Sequence, residues 1–193
     1  MISVIMAGGK STRLGPRMEK PLIRLGKQTL IERTAETIRS SNAGKIIVAT
    51  SPATPKTSAF AVKRGMAVLE TPGNDYHDDV YFLLDKFGPY LSVNVDIPFL
   101  TREAINRLLA KSRDVSIACV IPRAKVSYAV AEDSVGKGKD GIEYVWIGLN
   151  YVTPTPETEL LAMEDDRLAI NINTPLDLAF AAKMLAEERR RKG

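Results

Sequence analysis

Two neighbouring glycines near the start of the chain are the first residues that could do chemistry. Gly8 and Gly9 follow a short apolar segment, residues 2–6, and the cations Lys10 and Arg13 come soon after them. Residues without a Cβ let the backbone approach a ligand closely, while free backbone N–H groups and cations bind phosphate oxygens. This segment therefore predicts a phosphate-binding loop. A tight turn that carries solvent-exposed charges is the alternative.

This loop matches neither of the two common glycine motifs for nucleotides. Residues 9–11 read Gly-Lys-Ser, but a P-loop needs a glycine five positions before that first glycine, where this chain has Val4. The spacing of Gly8, Gly9 and Gly15 does not give the dinucleotide-binding G-x-G-x-x-G. The loop itself remains the candidate nucleotide-binding segment, comprising Ala7, Gly8, Gly9, Lys10, Ser11 and Thr12.

A carboxylate follows another apolar segment farther along the chain. Asp96 comes directly after residues 91–95, a predicted strand, and precedes Ile-Pro. Ligands of parallel sheets bind beyond the carboxyl ends of the strands, so we expect Asp96 and the glycine loop at one edge. Mg²⁺ (or Mn²⁺) needs few protein oxygens, and Asn173 could supply a second one. The alternatives are an Asx-turn at Asp96 and a structural role for Asn173 beside a helix cap.

The pattern of apolar residues predicts the elements that position these groups. Apolar runs at residues 2–6, 45–49, 66–69 and 91–95 alternate with helical patterns, one of which Thr101 caps. This β-α-β-α rhythm predicts an α/β fold, a three-layer αβα arrangement around a mostly parallel Rossmann-like sheet. The second half has strand-like runs at 115–121, 126–131, 144–152 and 168–172. A final helix should begin with Thr174 at the N-cap, Pro175 at N1 and Asp177 at N3.

We predict a single domain over residues 1–193. Residues 1–112 would form the nucleotide-binding half, and residues 113–193 the acceptor-binding half with the C-terminal helix. Base recognition would come from backbone groups at Ala7 and Gly8 and from the loops that follow successive strands. The further candidates there are Thr50, Ser51, Thr71, Gly73 and Asp79, of which Asp79 could accept from the base edge or simply favour a helix N-terminus.

Composition narrows the class of protein. The formal net charge is +4, a mild excess that anionic small substrates explain, and we predict no nucleic-acid partner. Cys119 is the only cysteine, which excludes an intramolecular disulfide and a cysteine-rich metal site. No apolar run approaches the roughly 20 residues that cross a membrane, and the N-terminus does not resemble a signal peptide. We expect a cytoplasmic protein without a membrane anchor, and a homodimer is left open.

The order of the motifs resembles that of the GT-A-type nucleotidyltransferases, the nucleotide-diphospho-sugar transferase fold. The resemblance lies in Met-Ala-Gly-Gly-Lys-Ser-Thr-Arg-Leu-Gly at 6–15, Glu-Lys-Pro-Leu at 19–22, Asp96, and Asn-x-Asn-Thr-Pro at 171–175. Residues 49–57, Thr-Pro-Gly at 71–73 with Tyr76 and Asp79, and residues 171–174 are similar to the archaeal GTP:adenosylcobinamide-phosphate guanylyltransferases. Asp75 departs from that family, which has a second glycine in this element.

The resemblance implies an activity and roles for individual residues. GMP would pass from GTP to adenosylcobinamide phosphate, a corrinoid phosphate, with release of pyrophosphate during cobalamin nucleotide-loop assembly. Catalysis would involve Arg13, Lys20 and Asp96, and the metal would bind Asp96 and Asn173. Gly148 and Asn150 would lie near the acceptor, although a β-bulge is an equal explanation for a mid-strand Gly148.

Other activities share these motifs. A molybdenum-cofactor guanylyl- or cytidylyltransferase is the nearest alternative, followed by a sugar-phosphate nucleotidyltransferase and a non-catalytic nucleotide sensor. A phosphate monoester is largely ionised at neutral pH because its second pKa is about 6, so the attack needs no general base. The only histidine, His77, lies in a polar segment, and we predict that it is a surface residue.

Overall fold

The computed structural model describes residues 1–15 and 18–192. Its α-helices are α1 Leu30–Arg39, α2 Pro55–Lys63, α3 Tyr76–Phe87, α4 Arg102–Leu109 and α5 Pro175–Lys192. The strands are β1 Ile2–Met6, β2 Arg24–Leu25, β3 Gln28–Thr29, β4 Lys45–Thr50, β5 Ala67–Glu70, β6 Tyr90–Asn94, β7 Ser116–Pro122, β8 Val135–Lys137, β9 Glu143–Val152 and β10 Thr158–Ala162. Short 3-10 turns cover Thr12–Leu14, Lys20–Leu22, Arg123–Lys125, Glu132–Ser134 and Asp166–Ala169.

One mixed sheet runs through both halves of the chain. Its strand order is β10-β7-β9-β6-β1-β4-β5, with β8 paired to β9 outside this path. β1 is parallel to both neighbours, so that Met6 lies opposite Ala49 on one side and Asn94 on the other. β9 is antiparallel to both β6 and β7. The mostly parallel sheet is confirmed, and the carboxyl ends of β1, β4, β5 and β6 meet at one edge.

Helices cover both faces of the sheet, which confirms the three-layer arrangement. The larger core joins one sheet face to α1, α2, α4 and α5, through buried residues such as Ile31 and Ile105. The smaller core lies on the opposite face, where Leu83 of α3 packs with Val4 and Tyr90. Leu83 is fully buried. Burial of a side chain of that size stabilises the fold by about 1.5–3 kcal/mol, so α3 is held firmly over the β1–β6 pair.

The predicted start of the last helix is confirmed. The Oγ1 of Thr174 accepts a hydrogen bond from the backbone N–H of Asp177 at 3.2 Å, and Asp177 Oδ2 accepts from the N–H of Thr174 at 2.7 Å. This reciprocal pair satisfies N–H groups that have no partner inside the helix. The same carboxylate accepts from the N–H of Asn173 at 2.9 Å and so fixes the residue that precedes the cap.

Two predicted strands, 126–131 and 168–172, are wrong. The first segment connects two 3-10 turns, and the second begins inside the 3-10 turn Asp166–Ala169 and continues without strand pairing. Val126 and Leu168 are buried in the larger core, so these apolar runs reflect packing and not strand pairing. Helix α2 and strand β10 had not been predicted. Cys119 is buried in β7, and burial raises the pKa of its thiol.

Helices long and apolar enough to cross a bilayer are absent from the described residues.

Candidate active site

A cavity of about 350 Å³ opens at the edge where β1 and β6 end. This volume lies within the range that small-molecule sites occupy. Its wall includes the loop after β1, the start of the Lys20–Leu22 turn, the loop before α3, and the end of β6. The lining residues are Met6, Ala7, Gly8, Gly9, Lys10, Ser11, Lys20, Pro21, Gly73, Asn74, Asp75, Tyr76, Asp79, Asn94, Val95 and Asp96. The glycine loop and Asp96 therefore face one cleft.

Three polar residues from distant parts of the chain meet beside this cavity: Lys20 and Asp96 line it, and Asn173 contacts Lys20 from outside the lining. The Nζ of Lys20 donates to Asp96 Oδ2 at 2.7 Å and to Asn173 Oδ1 at 2.7 Å. The side chains of Lys20 and Asp96 are only 17% and 14% exposed. The N–H of Ile172 donates to the carbonyl of Asp96 at 3.0 Å, which ties the segment carrying Asn173 to the end of β6. The predicted pair Asp96 and Asn173 is thus brought together.

The oxygens of this pair fit a hard divalent cation. Asp96 Oδ1 is buried and has no hydrogen-bond partner among the described residues. A buried carboxylate oxygen without a donor is costly unless a cation or water binds it. Clusters of three or more His, Cys, Asp or Glu are absent from the described part of the chain. Mg²⁺ tolerates such a sparse protein site because water and substrate phosphates complete its six ligands.

The glycine loop is held by backbone and hydroxyl contacts that leave its inner surface open. The N–H of Ala7 donates to the carbonyl of Ala49 at 2.9 Å, and Ser51 Oγ donates to the carbonyl of Gly8 at 2.6 Å. A Cβ on Gly8 would lie 3.1 Å from the Cβ of Ser51, whereas a Cβ on Gly9 would meet nothing within 4 Å. Gly8 therefore packs closely against Ser51, and Gly9 faces open space.

Ser11 joins the glycine loop to Lys20. Its Oγ accepts from the backbone N–H of Lys20 at 3.0 Å and donates to the carbonyl of Gly9 at 3.2 Å. Ser11 also has a φ of 51°, in the left-handed region that costs a residue other than glycine about 1–3 kcal/mol. These hydrogen bonds hold the strained residue in place and fix the glycine loop to the start of the Lys20–Leu22 turn.

Of the two cations that follow the glycines, only Lys10 reaches the cavity. Arg13 is 54% exposed at its side chain, and its Nη2 pairs with Asp133 Oδ2 at 3.1 Å. An exposed pair of this kind contributes about 0–1 kcal/mol, so Arg13 can be released at little cost. The structure does not bring the predicted catalytic Arg13 to the lining. The side chain of Thr12 lies outside the described residues.

Gly73 and Asp79 form a second polar corner of the cavity. The N–H of Gly73 donates to Asp79 Oδ1 at 2.9 Å, and Asp79 is only 8% exposed. Gly73 has a φ of 70°, and a Cβ there would lie 2.6 Å from the Cβ of Ser51. Asp75 caps α3 by accepting from the N–H of Asp78 at 2.9 Å. Capping gives a structural reason for an aspartate at position 75.

Three predicted nucleotide contacts lie behind the cavity wall instead of on it. Thr50, Ser51 and Thr71 are buried and do not line the cavity. Thr71 Oγ1 donates to the carbonyl of Thr50 at 3.0 Å, and the N–H of Ser51 donates to Thr54 Oγ1 at 3.0 Å. These hydroxyls fix the loops after β4 and β5 to each other. Ser51 and Thr71 follow parallel strands as predicted, whereas Thr50 is the last residue of β4, and the contacts of all three within the fold were not foreseen.

Sequence reasoning missed the role of Glu19. Its carboxylate accepts from the N–H of Lys56 at 3.0 Å, the N–H of Thr57 at 2.6 Å and Thr57 Oγ1 at 2.7 Å. The N-cap residue Thr54 makes no side-chain cap of its own. Glu19 therefore caps α2 from a distant segment and fixes the backbone next to Lys20. The Glu-Lys-Pro-Leu motif was the available signal, although no local spacing indicates which helix it caps.

Gly148 lies in a bulge of β9 and does not line the cavity. Ala118 of β7 opposes Asn150, but Val120 opposes Trp146, which leaves extra residues of β9 between them. Gly148 has a φ of 76°, and a Cβ there would lie 2.5 Å from Asn94 Nδ2. The bulge is thus observed, and Gly148 makes room for Asn94, a cavity residue that sequence reasoning missed.

Asn150 lies beneath Tyr76 and is likewise absent from the cavity lining. Tyr76 is 43% exposed as a residue, and Ser92 and Asn150 are the neighbours of its hydroxyl group. Burial raises the pKa of Tyr76, and the neighbouring Ser92 and Asn150 act in the opposite direction. The phenol is therefore neutral near pH 7 and can donate a proton to a hydrogen bond.

Comparison with known proteins agrees with this geometry. Residues 3–131 match the family model described as a MobA-like NTP transferase domain. The chain belongs to the MobA-like NTP transferases. An adenosylcobinamide-phosphate guanylyltransferase from Methanocaldococcus jannaschii is 33% identical over 97% of this chain and 99% of its own length. This membership confirms the predicted resemblance and shows that the protein is a nucleotidyltransferase.

Two solved structures share the fold of this chain over nearly its whole length. A CMP:2-keto-3-deoxy-manno-octonic acid synthetase, solved with CTP, covers 97% of this chain and 98% of its own, with a TM-score of 0.68 and 14% identity. A 4-diphosphocytidyl-2C-methyl-D-erythritol synthase from Anaerococcus prevotii covers 96% of this chain and 95% of its own, with a TM-score of 0.68 and 12% identity. These similarities confirm the predicted fold type.

Proposed function

We propose that this protein transfers GMP from GTP to adenosylcobinamide phosphate, giving adenosylcobinamide-GDP and pyrophosphate in cobalamin nucleotide-loop assembly. The observation that carries the proposal is the end-to-end similarity to the guanylyltransferase of M. jannaschii. The cavity supports it, because the glycine loop, Lys20 and Asp96 line it, and Lys20 also binds Asn173 beside it. A cytoplasmic location and a homodimer stay predictions.

The reaction exchanges one phosphoanhydride bond for another. A phosphate oxygen of the acceptor forms a bond to the α-phosphorus of GTP, and the bond to the bridging oxygen of the β-phosphate breaks. Pyrophosphate leaves with the electron pair of that bond. Since the acceptor phosphate is already largely ionised near pH 7, the site needs no proton acceptor. The main barrier is the repulsion between two polyanions, which cations and aligned N–H groups lower.

The residues of the cavity divide this work. The open backbone around Gly9 and the ammonium of Lys10 would bind the triphosphate, and Lys20 would neutralise charge at the α-phosphate. Asp96 and Asn173 would hold Mg²⁺ (or Mn²⁺), which supplies further neutralisation of the phosphate charge when bound. Arg13 would join them only after it leaves Asp133.

Guanine would bind at the corner formed by Gly73 and Asp79. One oxygen of Asp79 accepts from the N–H of Gly73, and its other oxygen remains available to an N–H of the base edge. Guanine presents two N–H donor groups on that edge, whereas adenine presents a single exocyclic amine with ring acceptors. A buried carboxylate that accepts from both N–H groups therefore favours guanine, because adenine would leave one of these hydrogen bonds unmade.

Measuring the release of pyrophosphate tests the function. The purified protein is incubated with Mg²⁺, each of the four nucleoside triphosphates, and one acceptor at a time: adenosylcobinamide phosphate, molybdopterin or a sugar 1-phosphate. We expect release only with GTP and the corrinoid phosphate. Release with molybdopterin or the sugar 1-phosphate would assign another acceptor. Binding of GTP without release for any of them would indicate a nucleotide sensor.

A further inference from the structure

The ammonium of Lys20 lies between the two side-chain oxygens that suit a divalent cation. It is 2.7 Å from Asp96 Oδ2 and 2.7 Å from Asn173 Oδ1, and it bridges them. Both contacts are charge-assisted or short hydrogen bonds in a site where Asp96 is only 14% exposed. An ammonium is a compact point charge with rotatable donors, so it can take the place of a cation between two oxygens.

Lys20 and a divalent cation cannot share this position. A cation bound to the same two oxygens would lie within a few ångströms of the ammonium, and like charges at that distance repel strongly in a partly buried site. Lys20 also neutralises the charge of Asp96, which is the main attraction that the site offers to a metal. In the free protein, the negative charge of Asp96 is therefore already neutralised by Lys20.

The surrounding contacts limit what can move. The backbone of Lys20 is fixed because its N–H donates to Ser11 Oγ and the preceding Glu19 is anchored on α2. The side chain has a flexible four-carbon stem and lines the cavity beside the glycine loop. A triphosphate bound along that loop would offer the ammonium new anionic partners within reach of a side-chain rotation alone.

We propose that Lys20 acts as an internal stand-in for the metal, which keeps Asp96 and Asn173 together and blocks metal binding until a nucleoside triphosphate draws the ammonium away. The metal then binds with the nucleotide or after it. This inference rests on the proposed function, because it takes Asp96 and Asn173 as the metal pair. It goes further by assigning Lys20 a second role, as the residue that sets the order of binding.

The test measures the affinity of the protein for Mn²⁺ in the absence of nucleotide. Binding is monitored as the loss of the electron paramagnetic resonance signal of unbound Mn²⁺. We expect weak binding by the wild type and binding at least about tenfold tighter in Lys20→Met, because a like charge has been removed from the site. Lys20→Gln should show the same gain while retaining an N–H₂ donor that supports folding. Lys20→Arg keeps the positive charge and should show no gain.

Two controls assign the effect to this position. Lys10→Met removes another cation from the same cavity and should leave the Mn²⁺ affinity of the free protein unchanged. Adding Asp96→Asn to Lys20→Met should abolish the gain. The proposal is overturned if neither neutral variant binds Mn²⁺ more tightly than the wild type, or if the gain survives Asp96→Asn. Because GTP and acceptor are absent, this result is independent of the pyrophosphate assay that tests the function.

Discussion

Lys20 is the residue through which most of the site is connected. It contacts Asp96 and Asn173 through its ammonium and Ser11 through its backbone. All three partners come from different parts of the chain, so its replacement disturbs charge and geometry together. Lys20, Asp96 and Asn173 could be predicted from the sequence, because the motifs that contain them and the order of those motifs can be read along the chain. The sequence did not predict that they contact each other directly, because side-chain pairing depends on the packed fold.

The first prediction concerns the charge of Lys20 during turnover. We expect Lys20→Ala to lower kcat about a hundredfold, since loss of one electrostatic stabiliser of a transition state costs about 3 kcal/mol. The KM for GTP should change much less. Steady-state kinetics with Lys86→Ala, an exposed lysine on α3, provides the control. Equal losses in kcat and in GTP affinity would show that Lys20 only holds ground-state charge.

A second residue-scale prediction concerns Asp79. Asp79→Asn keeps an oxygen for the N–H of Gly73 but removes the anionic acceptor that would face the base. The preference for GTP over ATP should fall about tenfold to a hundredfold, because hydrogen bonds to charged groups contribute about 1.5–3 kcal/mol. Competition binding of the two nucleotides measures it. Asp78→Asn, at an exposed neighbouring position, should keep the preference, and an unchanged ratio in Asp79→Asn would place base recognition elsewhere.

At the scale of elements, helix α2 is held by a cap that comes from outside it. Glu19 makes three hydrogen bonds to its first turn, including two to Thr57, which is fully buried. Helix α2 was not predicted, because its cap comes from Glu19 and its N-cap residue Thr54 makes no side-chain cap of its own. Thr29, Thr101 and Thr174 cap their helices locally, and the starts at Thr101 and Thr174 were predicted.

Removing the distant cap should affect catalysis as well as stability. We expect Glu19→Ala to lower the free energy of unfolding by about 1 kcal/mol, as for other caps, and kcat at least about tenfold, because Lys20 loses its anchor. Thr101→Ala removes the local cap of α4 and is the matched control. It should cost similar stability without the loss of kcat. Chemical denaturation measures the stability of both variants, and steady-state kinetics measures their kcat. An equal fall of kcat in Glu19→Ala and Thr101→Ala would contradict this account.

The bulge of β9 allows a second test at this scale. Gly148→Ala puts a Cβ 2.5 Å from Asn94 Nδ2, whereas Gly141→Ala meets no neighbour within 4 Å although its φ of 79° is similar. The difference in unfolding free energy between the two variants therefore isolates the contact from the backbone strain. We expect Gly148→Ala to be less stable by about 1–3 kcal/mol, the usual cost of overpacking. Equal stabilities would show that Asn94 moves aside freely.

The whole molecule places its chemistry at one edge of one sheet. Parallel strands β1, β4, β5 and β6 end there, and the sequence predicted this because alternating apolar runs and helices imply a parallel sheet. The antiparallel β9 between β6 and β7 was not predicted, since strand direction in the second half depends on long-range pairing. The strand predictions at 126–131 and 168–172 were wrong for the same reason, namely that strand pairing depends on long-range contacts. An apolar run indicates burial whether or not a partner strand is available.

The fate of the phosphates of GTP tests the central claim most directly. The protein is incubated with Mg²⁺, adenosylcobinamide phosphate and GTP labelled either at the α- or at the γ-phosphate, and the products are separated. Attack at the α-phosphorus predicts α-label in the corrinoid product and γ-label in pyrophosphate, with Asp96→Asn strongly impaired in both. Transfer of the γ-label to the corrinoid, or no labelled corrinoid with either nucleotide, would contradict the account.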